Sequence, residues 1–190
     1  MRYIFLGKRV RCSTLLPLLA YLWCVFAGVK TAVFSLAAVA VHEAGHIIAG
    51  HLTRRKISSL TLSPLGADIV YTGTASYGSE IFAAFSGPFF SLFSGIALYG
   101  ALPGFSAVSI AYGLLNLIPV PCFDGGRALR SVLYSLTELS AADKICGAVN
   151  IVFLIIMYLF SVFLLFYTSF NASLLLLCAY VFADSYLKMR

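Results

Sequence analysis

His42-Glu43-Ala44-Gly45-His46 lies inside an apolar run, residues 31–52, and its reading decides how the rest of the chain is understood. On an α-helix two histidines four residues apart stand about 40° apart around the axis and one turn apart along it, so both can grip one metal ion. Glu43 projects nearby. Two imidazoles, a neighbouring carboxylate and an open coordination position suit a hydrolytic zinc, which lowers the pKa of water toward about 7 while the carboxylate takes the proton. The pattern is short, and in a soluble chain it describes equally well a helix whose histidines pair with polar groups. In lipid the balance changes. Ionisable side chains at membrane depth are costly and mark functional sites, and three within five residues have no explanation in packing.

The surrounding composition is that of a membrane protein. Of 190 residues, 61% are hydrophobic and 11% charged, with a mean hydropathy of +0.97, against about 25% charged residues in an ordinary soluble domain. The expectation is an all-α membrane protein of six transmembrane helices, each about 20 residues, forming a single polytopic domain over residues 1–190. The net charge of +6 does not indicate nucleic acid, because the basic residues stand beside apolar segments without interleaved aromatics. Cys12, Cys24, Cys122, Cys146 and Cys178 have no CxxC spacing and read as reduced packing residues. The first apolar run follows a basic N-terminus but closes on no small-x-small cleavage site, so it reads as a retained helix.

The expected spans are 14–29, 31–52, 81–101, 106–120, 148–168 and 172–187. Between the second and third, residues 57–78 turn Ser/Thr/Gly-rich, and two strand-like pieces, 57–62 and 67–74, flank Pro64-Leu65-Gly66. This reads as a short membrane-edge β-hairpin. Ser79 and Glu80 read as the cap and first-turn acid of the third span, and Pro103-Gly104 as a turn. Pro119 and Pro121 cannot continue a helix, so the backbone after Asn116 must be irregular, which a membrane tolerates only where protein or a water-filled cavity surrounds it. With six spans, twelve of the thirteen basic residues fall on one face and Lys30 alone on the other. By the positive-inside rule the N- and C-termini are cytoplasmic. The same assignment puts His46 about 10 Å below the cytoplasmic surface, and the end of the fourth span, with Asp124, approaches that surface too.

A catalytic zinc takes three protein ligands and a water. Asp124, after the proline-broken segment and before Gly125-Gly126, is the preferred third ligand over Asp68, Glu80, Glu138, Asp143 and Asp184; its competing role is the N-cap of the helix that follows. His51 lies nine residues from His42, on the opposite side of the helix, and reads as an interfacial residue.

These residues carry a resemblance. His42-Glu43-Ala44-Gly45-His46, Gly87-Pro88, and the run from Asn116 through Pro119, Pro121 and Asp124-Gly125-Gly126 to Arg127 resemble the site-2 protease family of intramembrane zinc metalloproteases. The compact layout is most similar to the bacterial branch that includes the sporulation factor IV-FB proteases, without a CBS or PDZ domain. The resemblance covers about residues 31–130, the expected catalytic core. It implies that His42, His46 and Asp124 bind Zn2+, that Glu43 is the general base, and that Asn116 orients or stabilises the reacting carbonyl. It also implies cleavage of a membrane-associated protein substrate near the cytoplasmic face of a bacterial cell membrane, releasing a regulatory protein such as a pro-sigma factor. The expected partners are the lipid bilayer, that substrate, a regulatory membrane protein and further copies of the chain, with no nucleic acid. Where relatives often carry Asn after the Gly-Pro pair this chain has Ser91, so no role transfers there. The alternative from another class is a membrane metal-binding or transport protein that does not hydrolyse anything. Such a protein is expected to show internal repeats or acidic groups along several spans, and this sequence has neither.

Overall fold

The computed structural model describes residues 3–5, 10–13, 21, 23–25, 27–63, 66–72, 76–167 and 173–188. Two compact units divide the chain, Met1–Leu115 and Asn116–Arg190. The expected first span, 14–29, lies largely outside the described residues.

Among its described residues the first unit holds a four-stranded sheet and the helices that carry the two histidines and their neighbours. Strands β1 (Tyr3–Phe5), β2 (Val10–Ser13), β3 (Lys56–Ser63) and β4 (Gly66–Thr72) lie side by side in sequence order. β1 and β2 are antiparallel, β2 and β3 parallel, β3 and β4 antiparallel. The fold is mostly helical, as expected, and the sheet differs from the expected two-stranded hairpin by the addition of β1 and β2. β1 and β2 have three and four residues, too short to show alternation, and their basic neighbours read as topology signals instead. A parallel pair needs a long crossover, and the segment between β2 and β3, which includes the first long helix, supplies it.

That helix, α1 (Val29–Leu52), starts after Gly28, whose φ of 82° is a conformation open mainly to glycine. It ends by a wrap-around: the Thr53 hydroxyl donates to the Ala49 carbonyl, Arg54 turns left-handed at φ 56°, and the Arg55 N–H reaches back to the Gly50 carbonyl. A non-glycine residue in that conformation costs about 1 kcal/mol, and the recovered carbonyl bonds offset it. The buried side of α1 is made of small residues and the two histidines: Ala38, His42, Gly45, His46, Ala49. Val33, Leu36, Ile48 and Leu52 face outward.

α2 (Tyr77–Ala97) packs on that small-residue side. Its cap is Ser76, whose hydroxyl accepts from the Ser79 N–H, three residues earlier than expected, while Glu80 does sit in the first turn. The reason is local: Ser76 has the extended backbone that a cap requires, whereas Ser79 is already helical. Glu80 pairs with Arg55, joining the start of α2 to the end of α1. A Cβ on Gly45 would come within 2.7 Å of the Ser86 carbonyl oxygen, so glycine is what lets the two helices approach. Phe82, Phe85, Phe89 and Phe93 stand on the outer face. Helix α3 (Pro103–Asn116) starts at Pro103, expected as a turn. Proline fits the first helical turn because its missing N–H has no intrahelical partner there.

In the second unit, residues 117–123 are irregular, as the prolines require. Gly125 and Gly126 lie hard against the carbonyls of Leu117, Ile118 and Val120, leaving no room for a Cβ. Helix α4 (Asp124–Leu136) is amphipathic, and α5 (Leu139–Tyr167) is long and apolar. They are joined by Arg130, Tyr134 and Asp143: the Tyr134 hydroxyl donates to Asp143 at 2.6 Å and accepts from the Arg130 Nε at 2.7 Å. The bond to Asp143 raises the Tyr134 phenol above its ordinary pKa. α6 (Ser173–Lys188) meets α5 through Cys178, whose thiol points to the Met157 carbonyl. α5 begins nine residues before the expected fifth span, because the polar turns of residues 139–147 continue the same helix.

Among the described residues three helices are long and apolar enough to cross a membrane: α1, α2 and α5. The fourth expected span is a helix of 14 residues, short of the roughly 20 needed to cross unaided.

Candidate metal centre

His42 and His46 are 2% and 6% exposed, and their Nε2 atoms converge to 3.2 Å. Two nitrogens at about 2.05 Å from one tetrahedral zinc lie about 3.3 Å apart. The fit extends to the outer ring atoms. His46 Nδ1 lies 2.8 Å from the Ala83 carbonyl oxygen; a carbonyl only accepts, so Nδ1 carries the proton and Nε2 keeps its lone pair. His42 Nδ1 lies 3.0 Å from Ser91 Oγ. The rings meet edge to face, and Tyr112 of α3 lies edge-on to His42 with centroids 4.8 Å apart.

Gly87 lies in front of the two rings. A Cβ there would fall on His46 Nε2 and lie 2.7 Å from His42 Nε2. Space for an ion-sized group beside the two buried ring nitrogens thus depends on that missing atom. Ala83, Gly87 and Ser91 are spaced by four along α2 and buried, so one face of this helix carries a carbonyl partner, a clearance and a hydroxyl partner in successive turns. The Gly-Pro pair was visible in the sequence; the parts of Ala83, Ser91 and Tyr112 were not. The signal for Ala83 and Ser91 was the four-residue repeat of small side chains, whose usual meaning is helix packing, and Tyr112 had none.

Glu43 adjoins His42 on α1 and is half-buried, with Oε2 shielded from solvent. His51 is exposed in the last turn of α1, away from the pair. In the second unit Asp124 is the first residue of α4, 7% exposed, with Oδ1 3.3 Å from Arg127 Nη1. The cap position belongs to Phe123, so Asp124 is not the N-cap. Asn116 ends α3 and is also buried. Of the rival acids, Glu80 is engaged by Arg55, and Asp143 is exposed beside Arg130.

The sequence profile described as Peptidase M50B-like matches residues 12–123, more than half of the chain, and that of Peptidase family M50 matches residues 104–160. A zinc metalloprotease of Methanocaldococcus jannaschii is 28% identical over 157 residues, 76% of this chain and 44% of that protein. A Synechocystis protein named as a candidate zinc metalloprotease is 30% identical over 124 residues, 58% of this chain and 33% of its own length. The chain therefore spans less than half the length of these curated relatives. Among solved structures, the site-2 protease from Methanocaldococcus jannaschii superposes with a TM-score of 0.74 at 22% identity, covering 100% of this chain and 95% of that one, so the fold is shared. With its membrane helices and its convergent histidines, the chain is an integral membrane protein that belongs to the Peptidase M50B-like family.

Proposed function

We propose that the protein cuts a membrane-associated protein substrate near the cytoplasmic face and releases a regulatory protein, a pro-sigma factor or one of similar role. The observation that carries this reading is the convergence of the two Nε2 atoms beside Glu43 in an apolar helix. Asp124 is the third ligand of the reading, supported by its burial and by its donor chemistry, since two imidazoles and one carboxylate form an established catalytic zinc set. When bound, the zinc supplies Lewis-acid polarisation and makes water acidic enough to be deprotonated near neutral pH. The chain's own residues do the rest. Glu43 takes the proton from the attacking water and returns it to the leaving amine. The Asn116 amide donates a hydrogen bond to the reacting carbonyl as negative charge develops on its oxygen. The Ala83 carbonyl holds the His46 ring in one tautomer throughout.

Six spans, with both termini in the cytoplasm of a bacterial cell, are the arrangement that fits the distribution of Lys and Arg. β3 and β4 then lie at the membrane edge, where the β4 edge is able to receive an unwound substrate strand through main-chain hydrogen bonds. The deciding test is Glu43→Gln, assayed on a membrane-anchored reporter substrate with zinc measured in the same preparation. Cleavage should vanish while zinc stays bound, because the amide matches the side chain in size but cannot take the proton. Turnover near the parental rate would remove Glu43 from the chemistry. Zinc bound equally by both proteins, with no cleavage by either, would favour the metal-binding alternative.

A further inference from the structure

We propose that Ser91 is a positioning residue of the metal centre, its hydroxyl fixing the His42 ring, and that Ser109 holds Ser91 in place from the neighbouring helix. The inference rests on the reading that His42 binds the metal. The two histidines are anchored by different chemistry. A backbone carbonyl sets His46 one way only. His42 has instead a hydroxyl, which accepts from Nδ1–H when Nε2 is a metal ligand and donates to Nδ1 when the proton sits on Nε2. Ser91 is 0% exposed and His42 2%, so bulk water does not compete for that bond. With a methyl group in place of the hydroxyl, the buried Nδ1 loses its partner at this position, and the ring rotates to seek another. Rotation carries Nε2 away from the point where it meets His46.

The carbonyl of Ser91 is itself held. It accepts from the Ser109 hydroxyl of α3 at 2.9 Å and from the Ser94 hydroxyl at 3.2 Å, and these two hydroxyls are 3.2 Å apart. The need for this outside support lies one turn back. Pro88 is inside α2 and has no N–H, so the Ala84 carbonyl loses its helical donor and this part of the helix is not self-secured. On α3, a Cβ at Gly113 would stand 3.0 Å from the Ser91 Cβ, so the two helices are in close contact at the same level. A ligand on α1, its partner on α2 and a clamp from α3 thus form one connected series within the first unit. Serines between membrane helices ordinarily serve helix packing and interhelical hydrogen bonding. That role leaves metal affinity and ligand geometry untouched, which separates the two.

The test uses the full chain in detergent, stripped with a chelator and titrated with Co2+, reading both affinity and the visible spectrum that reports ligand geometry. Ser91→Ala should weaken Co2+ binding about tenfold to a hundredfold, the usual effect of losing a residue that orients a ligand, and should change the spectrum. Ser109→Ala should act in the same direction by less. Because Ser109 acts through Ser91, the double variant should bind Co2+ no more weakly than Ser91→Ala alone. Ser91→Thr and Ser91→Val have the same shape and differ in the hydroxyl, so they answer the question even if the alanine variant does not fold: threonine should retain the parental spectrum and valine should not. Equal Co2+ affinity and spectra for threonine and valine, or a parental result for Ser91→Ala, overturn the proposal, and full additivity in the double variant overturns the part given to Ser109. His42→Ala separates this from failure of the underlying reading. If it leaves Co2+ binding intact, the site reading itself fails; if it abolishes binding while Ser91 has no effect, only the positioning role fails.

Discussion

At Gly87 a single atom decides whether the two histidines can share an ion. Gly87→Ala places a methyl group against both Nε2 atoms, so the purified variant should lose most of its zinc. Its helix content should be kept, because alanine is the better helix former by about 1 kcal/mol. Metal analysis beside circular dichroism checks both halves, and a full zinc complement would mean that the rings swing aside at little cost. Asp124→Ala should weaken zinc retention too, since it deletes the anionic donor of the proposed set. A variant that kept zinc and activity would require another third ligand. The residue scale is where the sequence was most legible. His42 and His46 declare themselves because their relation is set by one helix and a spacing of four. Ser91 and Ala83 do not, because what they touch lies on another helix, 49 and 37 residues away.

Among the elements, the strands carry the sharpest test. β4 forms one edge of the sheet, and successive N–H groups along it point alternately to β3 and away from it. If an unwound substrate adds to that edge, prolines introduced one at a time along β4, Ile69 and Tyr71 among them, should reduce cleavage at alternate positions, those whose N–H faces outward. Zinc content at those positions should be unchanged. At the other positions proline breaks the bond to β3, and loss of folded protein should accompany any loss of cleavage. A folded, zinc-loaded series with cleavage intact at every position would remove strand pairing from substrate entry. The strand-like pieces at 57–62 and 67–74 were readable from turn residues and β-branched side chains. β1 and β2 were not, because strands of three and four residues become strands only when a partner is at hand, β3 for β2 and β2 for β1.

At the scale of the whole molecule, the distribution of positive charge predicts that Ser58 and Lys30 face opposite sides of the membrane. Single cysteines placed there, in a background without the native five, should differ in labelling by an impermeant reagent on intact cells: strong at position 30, weak at position 58. The reverse result would invert the topology. Composition alone determined that this chain lives in lipid, since 61% hydrophobic residues leave no other solvent for it. A helical spacing of four determined its pair of histidines. Only the tertiary structure decided how those rings are held, because the Ala83 carbonyl, the Ser91 hydroxyl and the clearance at Gly87 reach them through the packing of α2 on α1. Hydrophobic periodicity records which face of a helix is buried. It carries no record of which atom on the next helix lies opposite, and the chemistry of a metal site depends on that atom.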